Sequence, residues 1–102
     1  MKSGYSIVWT DHALDKLAQT FEYLELNFSE AVISRVAKKI ESTLHSISIF
    51  PTMYPVAFTQ NEVRRAIVAK FNTVYYRVNV SKKQIEILSF FSNRQNDQNL
   101  KN

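Results

Sequence analysis

The chain contains no cysteine and only one glycine among its 102 residues. Without cysteine it cannot form a disulfide scaffold, use a thiol nucleophile or bind a metal through thiolates, and it suits a reducing compartment. A single glycine cannot build the glycine-rich loop that cradles the phosphates of a nucleotide. The two histidines, His12 and His45, lie far apart in sequence, so we expect neither a metal site nor a cofactor.

Long apolar runs are absent as well. No segment approaches the roughly 18 to 20 apolar residues that span a bilayer, and the N-terminus carries no stretch of signal-peptide length. We therefore expect a cytoplasmic protein with no membrane partner. Apolar residues make up 45% and aromatic residues 13% of the chain, enough for one core, so residues 1–102 are predicted to form a single domain whose residues 93–102 are a polar tail.

The charge balance is basic, with a formal net charge of +4. A basic domain favours an anionic partner, either nucleic acid or an acidic protein. Many of the cations fall within residues 62–94, including four of the five arginines. The planar guanidinium of arginine matches phosphate and carboxylate oxygens and keeps its charge. We expect the functional surface there, and its candidate cations are Arg64, Arg65, Lys70, Arg77 and Arg94.

Two helices are predicted to follow a first strand. Residues 5–9 are β-branched and aromatic, which is typical of a strand. Thr10 can cap an amphipathic helix, and Ser29 can cap a second helix that Pro51 must end. Only residues 27–28 would separate the two helices, so the pattern indicates a tight helical hairpin.

A sheet is predicted from the remaining segments. Residues 51–61 contain both prolines and no periodicity, which indicates a connection. Three strands are expected after it, with a first hairpin break at Asn72-Thr73; their ranges are 63–71, 73–80 and 84–92. The order βααβββ predicts an α+β fold, a mostly antiparallel sheet of about four strands with the helical hairpin packed on one face. The other face is expected to stay open.

In the second of these three strands, residues 73–80, successive side chains alternate between an apolar and a polar face. The predicted apolar face of that strand carries Val74, Tyr76, Val78 and Val80. Tyr75 and Arg77 fall on the opposite face, where Arg77 would be available to a partner. The alternative for the arginines is a solvated face with weak ion pairs to Glu62 and Glu86.

The order of elements and several short motifs resemble the RelE/ParE superfamily, toxins of bacterial type II toxin–antitoxin modules that inhibit growth and stabilise plasmids. The motifs are Trp9-Thr10 ending the first strand, Arg64-Arg65, Tyr75-Tyr76-Arg77-Val78, Ile85-x-Ile87-Leu88 and Asn93-Arg94-Gln95. The resemblance spans residues 5–97. It implies a toxin domain that an antitoxin, usually acidic, wraps and neutralises.

The resemblance implies one of two activities. RelE-like toxins are ribosome-dependent mRNA endonucleases, and in that pattern Arg64, Lys70 and Arg94 would be the catalytic cations. RNA cleavage also needs a proton acceptor and a proton donor, and arginine can be neither. Thr73 and Ser92 stand where many relatives carry arginine and histidine, and no tyrosine or histidine follows Arg94. These departures favour the ParE-like activity, which is inhibition of DNA gyrase by binding.

We therefore predict a toxin that binds and inhibits an essential target, with DNA gyrase as the leading candidate. A ribosome-dependent mRNA endonuclease and an inactive homologue that only binds antitoxin are the alternatives. The predicted binding residues, which would meet carboxylates of the antitoxin, are Arg64, Arg65, Tyr75, Arg77 and Arg94. The oligomeric state stays open between a homodimer and a toxin–antitoxin heterotetramer.

Overall fold

A five-stranded sheet covered by two helices forms the body of the protein. The computed structural model describes residues 4–70 and 72–92. The elements are β1 (Ser6–Trp9), α1 (Asp11–Asn27), α2 (Glu30–Ile49), β2 (Val56–Phe58), a 3₁₀ turn (Gln60–Glu62), β3 (Val63–Val68), β4 (Asn72–Asn79) and β5 (Gln84–Ser92). The predicted α+β class and element order are confirmed, with one strand added. In the part of the chain that the structure describes, no helix has the length and apolar character to cross a membrane.

The strands lie in the order β1-β5-β4-β3-β2. All neighbouring pairs are antiparallel except β1 and β5, which run parallel and are separated in the chain by the two helices and three other strands. The additional strand is β2, at one edge of the sheet. It lies inside the segment that we predicted to be a plain connection, since a strand of three residues is too short to show a period of two.

The predicted helix caps are confirmed. The Thr10 hydroxyl accepts a hydrogen bond from the Ala13 amide at 3.2 Å, and it also donates to the carbonyl of Ile87 in β5 at 2.8 Å. Ser29 accepts from the amide of Val32 at 3.4 Å. Thr10 therefore both starts α1 and ties this end of the helix to the sheet.

The core lies between the helical hairpin and one face of the sheet. Its buried apolar side chains are Ala13, Leu24, Val36, Ile40 and Ile47 from the helices, and Ala66, Val68, Val74, Tyr76, Ile85, Ile87 and Phe90 from the strands. In β5, alternation is interrupted because Tyr75 pairs with Ser89 while Tyr76 pairs with Ile87. Leu88 is the extra residue of a β-bulge, which turns Phe90 instead of Ser89 toward the core.

Two predicted strand ends are wrong. The break between β3 and β4 falls at Ala69 and Lys70, whose φ angles of 51° and 76° are left-handed, while Asn72 and Thr73 pair with β5. In the sequence, the alternation of apolar and polar residues continues through this turn. Such an alternation gives no information about the backbone φ angles, so the turn could not be placed from it. At its other end β4 stops at Asn79, and Val80 is 69% exposed in the following turn.

Tyr76 anchors the connection between α2 and β2 to the sheet. Its buried ring meets the ring of Tyr54 edge to face, with centroids 6.3 Å apart, and its hydroxyl donates to the Pro51 carbonyl at 2.7 Å. Tyr54 in turn donates to the Ser46 hydroxyl at 3.1 Å. Burial raises the pKa of Tyr76 to about 12, although Arg64 acts in the opposite direction.

This pKa makes stability fall at high pH. The Tyr76 contribution is fully present below the unfolded-state value of about 10 and is lost as pH rises through about 12. Between about pH 10 and about pH 12, the free energy of unfolding of the wild type should decrease by up to about 2–3 kcal/mol more than that of the Tyr76→Phe variant. Urea denaturation at a series of pH values measures the difference, and parallel curves for the two proteins would contradict it.

Candidate functional site

The uncovered face of the sheet carries the predicted surface, which we call the open face. Arg65 in β3 and Tyr75 in β4 are cross-strand partners on it. The ring of Phe58 from β2 lies against that of Tyr75, with centroids 5.9 Å apart, and Ile67 is 63% exposed beside them. The open face therefore offers an arginine next to an apolar and aromatic patch, a composition common at protein interfaces.

Arg65 is the most available cation of this face. Its side chain is exposed, and within residues 4–70 and 72–92 it makes no ion pair. Its backbone amide donates to the carbonyl of Pro55 at 3.1 Å, which fixes where the side chain leaves the sheet. A carboxylate or phosphate of a partner could therefore bind Arg65 without displacing a group of the protein itself.

Arg77 is on the open face, as predicted, but is paired internally. Its Nε and Nη2 atoms both donate to Oε1 of Glu86, its cross-strand partner in β5, at 3.0 and 2.6 Å. Both side chains are partly exposed, so the pair is worth little to stability. An anionic partner would have to compete with Glu86 for this arginine.

Arg64 has a different role from its neighbour. It points to the helix-covered side, where its Nη1 atom donates to the carbonyls of Tyr54 at 2.7 Å and Thr52 at 3.3 Å. Its Nη2 atom donates to Glu62 at 2.8 Å, and its side chain is only 12% exposed. Arg64 therefore holds the connection before β2 against the start of β3, together with Tyr76.

Arg64 and Arg77 both line a small cavity. The cavity has a volume of about 160 Å³ and is lined by Thr52, Asn61, Glu62, Arg64, Arg77, Val78 and Val80. It could hold a small group such as one carboxylate. Glu62 at its wall already occupies part of the Arg64 fork.

Of the three cations predicted for a nuclease, Arg64 and Lys70 are in the described part of the chain. Lys70 lies in the turn after β3, at the opposite end of that strand from Arg64, and lines a cavity beside α2. Arg94 falls outside the described residues. His12 and His45 are both exposed on the helices, and among the described residues no three histidine or acidic side chains are placed to hold a metal ion.

Sequence reasoning missed Phe58, which completes the aromatic part of the open face. The one signal in the sequence is that Val56 and Phe58 are residue types that favour strands. Of the two phenylalanines in β5, Phe90 is buried and Phe91 is exposed.

One family model matches most of this chain. Residues 7–97 match the family model described as the ParE toxin of the type II toxin-antitoxin system parDE. Among curated proteins none matches this chain.

Two solved structures share the fold. A chain of the RelBE2 toxin–antitoxin complex from Mycobacterium tuberculosis is 15% identical with a TM-score of 0.62, covering 88% of this chain and 99% of its own. A chain of the chromosomal ParDE system from P. aeruginosa is 16% identical with a TM-score of 0.69, covering 86% and 95%. At such identities the two structures establish the fold alone.

The opposite orientations of Arg64 and Arg65 lead to a stability prediction. Arg64→Ala should lower the free energy of unfolding by about 2 kcal/mol, because it removes a largely buried side chain and its charged donor to the carbonyls of Tyr54 and Thr52. Arg65→Ala, the matched control, should change it by less than about 0.5 kcal/mol. Urea denaturation measures both, and equal losses would show that the anchoring role of Arg64 is wrong.

Proposed function

This chain belongs to the ParE family of toxins from type II toxin–antitoxin systems, whose model it matches over residues 7–97, and on that premise we propose that it inhibits DNA gyrase by binding. It acts as a steric and electrostatic ligand of its target and does not cut RNA. Its target and its antitoxin are both cytoplasmic, and it works in that compartment.

The observation that supports this proposal is that the described strands carry no histidine and only one carboxylate, Glu86, on the open face. Cleavage by a 2′-hydroxyl needs one group to accept its proton and another to protonate the leaving oxygen. The carboxylate of Glu86 on this face is engaged by Arg77. Thr73 and Ser92, which replace arginine and histidine of the RelE-like pattern, are both buried. What the face does offer is a surface for binding.

The antitoxin is the second expected partner. The two similar solved structures are described as a toxin–antitoxin complex and a ParDE toxin–antitoxin system. We propose that an acidic antitoxin covers the open face, with an apolar side chain against Phe58 and Tyr75 and a carboxylate at Arg65. Arg77 and Arg94 are further predicted contacts of the same partner.

The target is tested with the purified protein and with growing cells. We expect it to inhibit supercoiling by gyrase in vitro, and expression without antitoxin to arrest growth while translated messages stay intact. Primer extension on those messages reads cleavage directly. Ribosome-dependent cuts would show that the protein is a nuclease and that the gyrase proposal is wrong. Normal growth under strong expression would indicate an inactive homologue.

Antitoxin binding should depend on Arg65. Arg65→Glu is expected to slow association with the cognate antitoxin and to reduce the salt dependence of the association rate, because it removes an unpaired charge from the interface. Lys82→Glu, the same charge change in the exposed β4–β5 turn, is the control and should have a small effect. Stopped-flow measurements at several salt concentrations give the association rates of the three proteins. If the association rate of the wild type does not change with salt concentration, the acidic-partner model is wrong.

A further inference from the structure

The centre of the open face brings two arginines next to a pair of aromatic rings. Arg65 in β3 is the cross-strand partner of Tyr75 in β4, and Arg77 follows Tyr75 by two residues on the same face of that strand. The ring of Phe58 lies against that of Tyr75 and enlarges the aromatic area. A cation, a ring and a second cation therefore follow one another across two neighbouring strands.

These are the groups with which proteins bind single-stranded nucleic acid. Cations bind the phosphates along the backbone, and aromatic rings stack on the bases. Because every base has a flat face, stacking of this kind needs no particular sequence. By its arginines and its rings alone, the open face would suit a single strand.

One carboxylate works against such binding, and it lies at the second cation. The Oε1 atom of Glu86 accepts hydrogen bonds from Nε of Arg77 at 3.0 Å and from Nη2 at 2.6 Å. These two nitrogens form one edge of the guanidinium, and such an edge is what binds a phosphate through two parallel hydrogen bonds. A phosphate reaches that edge of Arg77 only by displacing Glu86.

The second oxygen of the same carboxylate adds repulsion. Within residues 4–70 and 72–92, Oε2 of Glu86 accepts no hydrogen bond. The phosphodiester backbone of DNA offers it only further acceptors, so a phosphate beside Arg77 meets a like charge at short range. A protein partner can instead donate an amide, a hydroxyl or an ammonium group to this oxygen.

The position of Glu86 in the sheet keeps the carboxylate where it is. Because β5 lies between β4 and β1, the backbone of Glu86 is held on both sides, with Arg77 as one partner and Val8 as the other. The side chain of Glu86 is 25% exposed and that of Arg77 is 43% exposed, so the carboxylate is the more enclosed member of the pair. The masking of Arg77 is thus built into the face.

From these features we propose that Glu86 is a specificity-determining residue that keeps single-stranded nucleic acid off the open face. By engaging Arg77, it leaves Arg65 as the one unpaired cation that the described strands present there. This role deepens the proposed function, and it rests on that function only for the kind of partner that remains, a protein that contacts Arg65, Tyr75 and Phe58.

The test compares the wild type with Glu86→Gln, which keeps the size of the side chain and removes its charge. Fluorescence anisotropy of a short labelled oligothymidylate measures the affinity at several salt concentrations. Glu86→Gln should bind the oligonucleotide roughly fivefold or more tightly at low salt, because it removes the repulsion and releases Arg77. The plot of log K against log salt should become steeper by about 0.7, the value for one additional phosphate contact on a single strand.

Two further variants show whether the gain passes through Arg77. Glu41→Gln makes the same charge change at an exposed position of α2 and should alter the affinity by less than about twofold. Arg77→Gln/Glu86→Gln has the net charge of the wild type and lacks the released cation, so its affinity should return close to the wild-type value. Urea denaturation checks folding, and Glu86→Ala gives the same comparison if Glu86→Gln is unfolded.

Three results would overturn the proposal. They are an unchanged affinity in Glu86→Gln, an equal gain in Glu41→Gln, which would show an effect of net charge alone, and a gain that persists in the double variant. Neither gyrase nor antitoxin takes part in the measurement. A failure here therefore leaves the proposed toxin function standing, and a failure of gyrase inhibition leaves the role of Glu86 standing.

Discussion

Coverage of only one face of the sheet is the constraint on which the rest of this structure depends. Two helices joined by a tight hairpin pack against Val74, Tyr76, Ile85 and Ile87 and leave the opposite face to solvent. Every residue along a strand is thereby assigned to the core or to a possible interface, because successive side chains alternate between the faces. Adjacent Arg64 and Arg65 consequently have unrelated roles.

The arginines that look alike in the sequence differ in how much charge they can offer a partner. Arg64 is largely buried and binds backbone carbonyls, and Arg77 is engaged by Glu86. Only Arg65 among these three is free of an internal ion pair in the described part of the chain. Fewer of these arginines are therefore open to an anion than the net charge suggests, and Arg64 holds the connection between α2 and β3 in place.

Positive charge is also distributed to both sides of the protein. The open face combines Arg65 with Tyr75 and Phe58, while the cavity beside α2 is lined by Arg35 and Lys39.

Local pattern was sufficient for the types and order of most elements. Thr10 and Ser29 marked the helix starts, and the alternation from Val74 to Arg77 separated the covered face from the open one, because caps and strand faces depend on neighbouring residues only. Tertiary structure decided the rest. The bulge at Leu88 exists because β5 must match β4, and Arg64 anchors a connection because two of its carbonyls come within reach of the guanidinium. The register between strands and the contacts between residues distant in sequence cannot be seen in an alternating sequence pattern. The sequence therefore determined which faces exist, and only the folded chain decided which arginines are available on them.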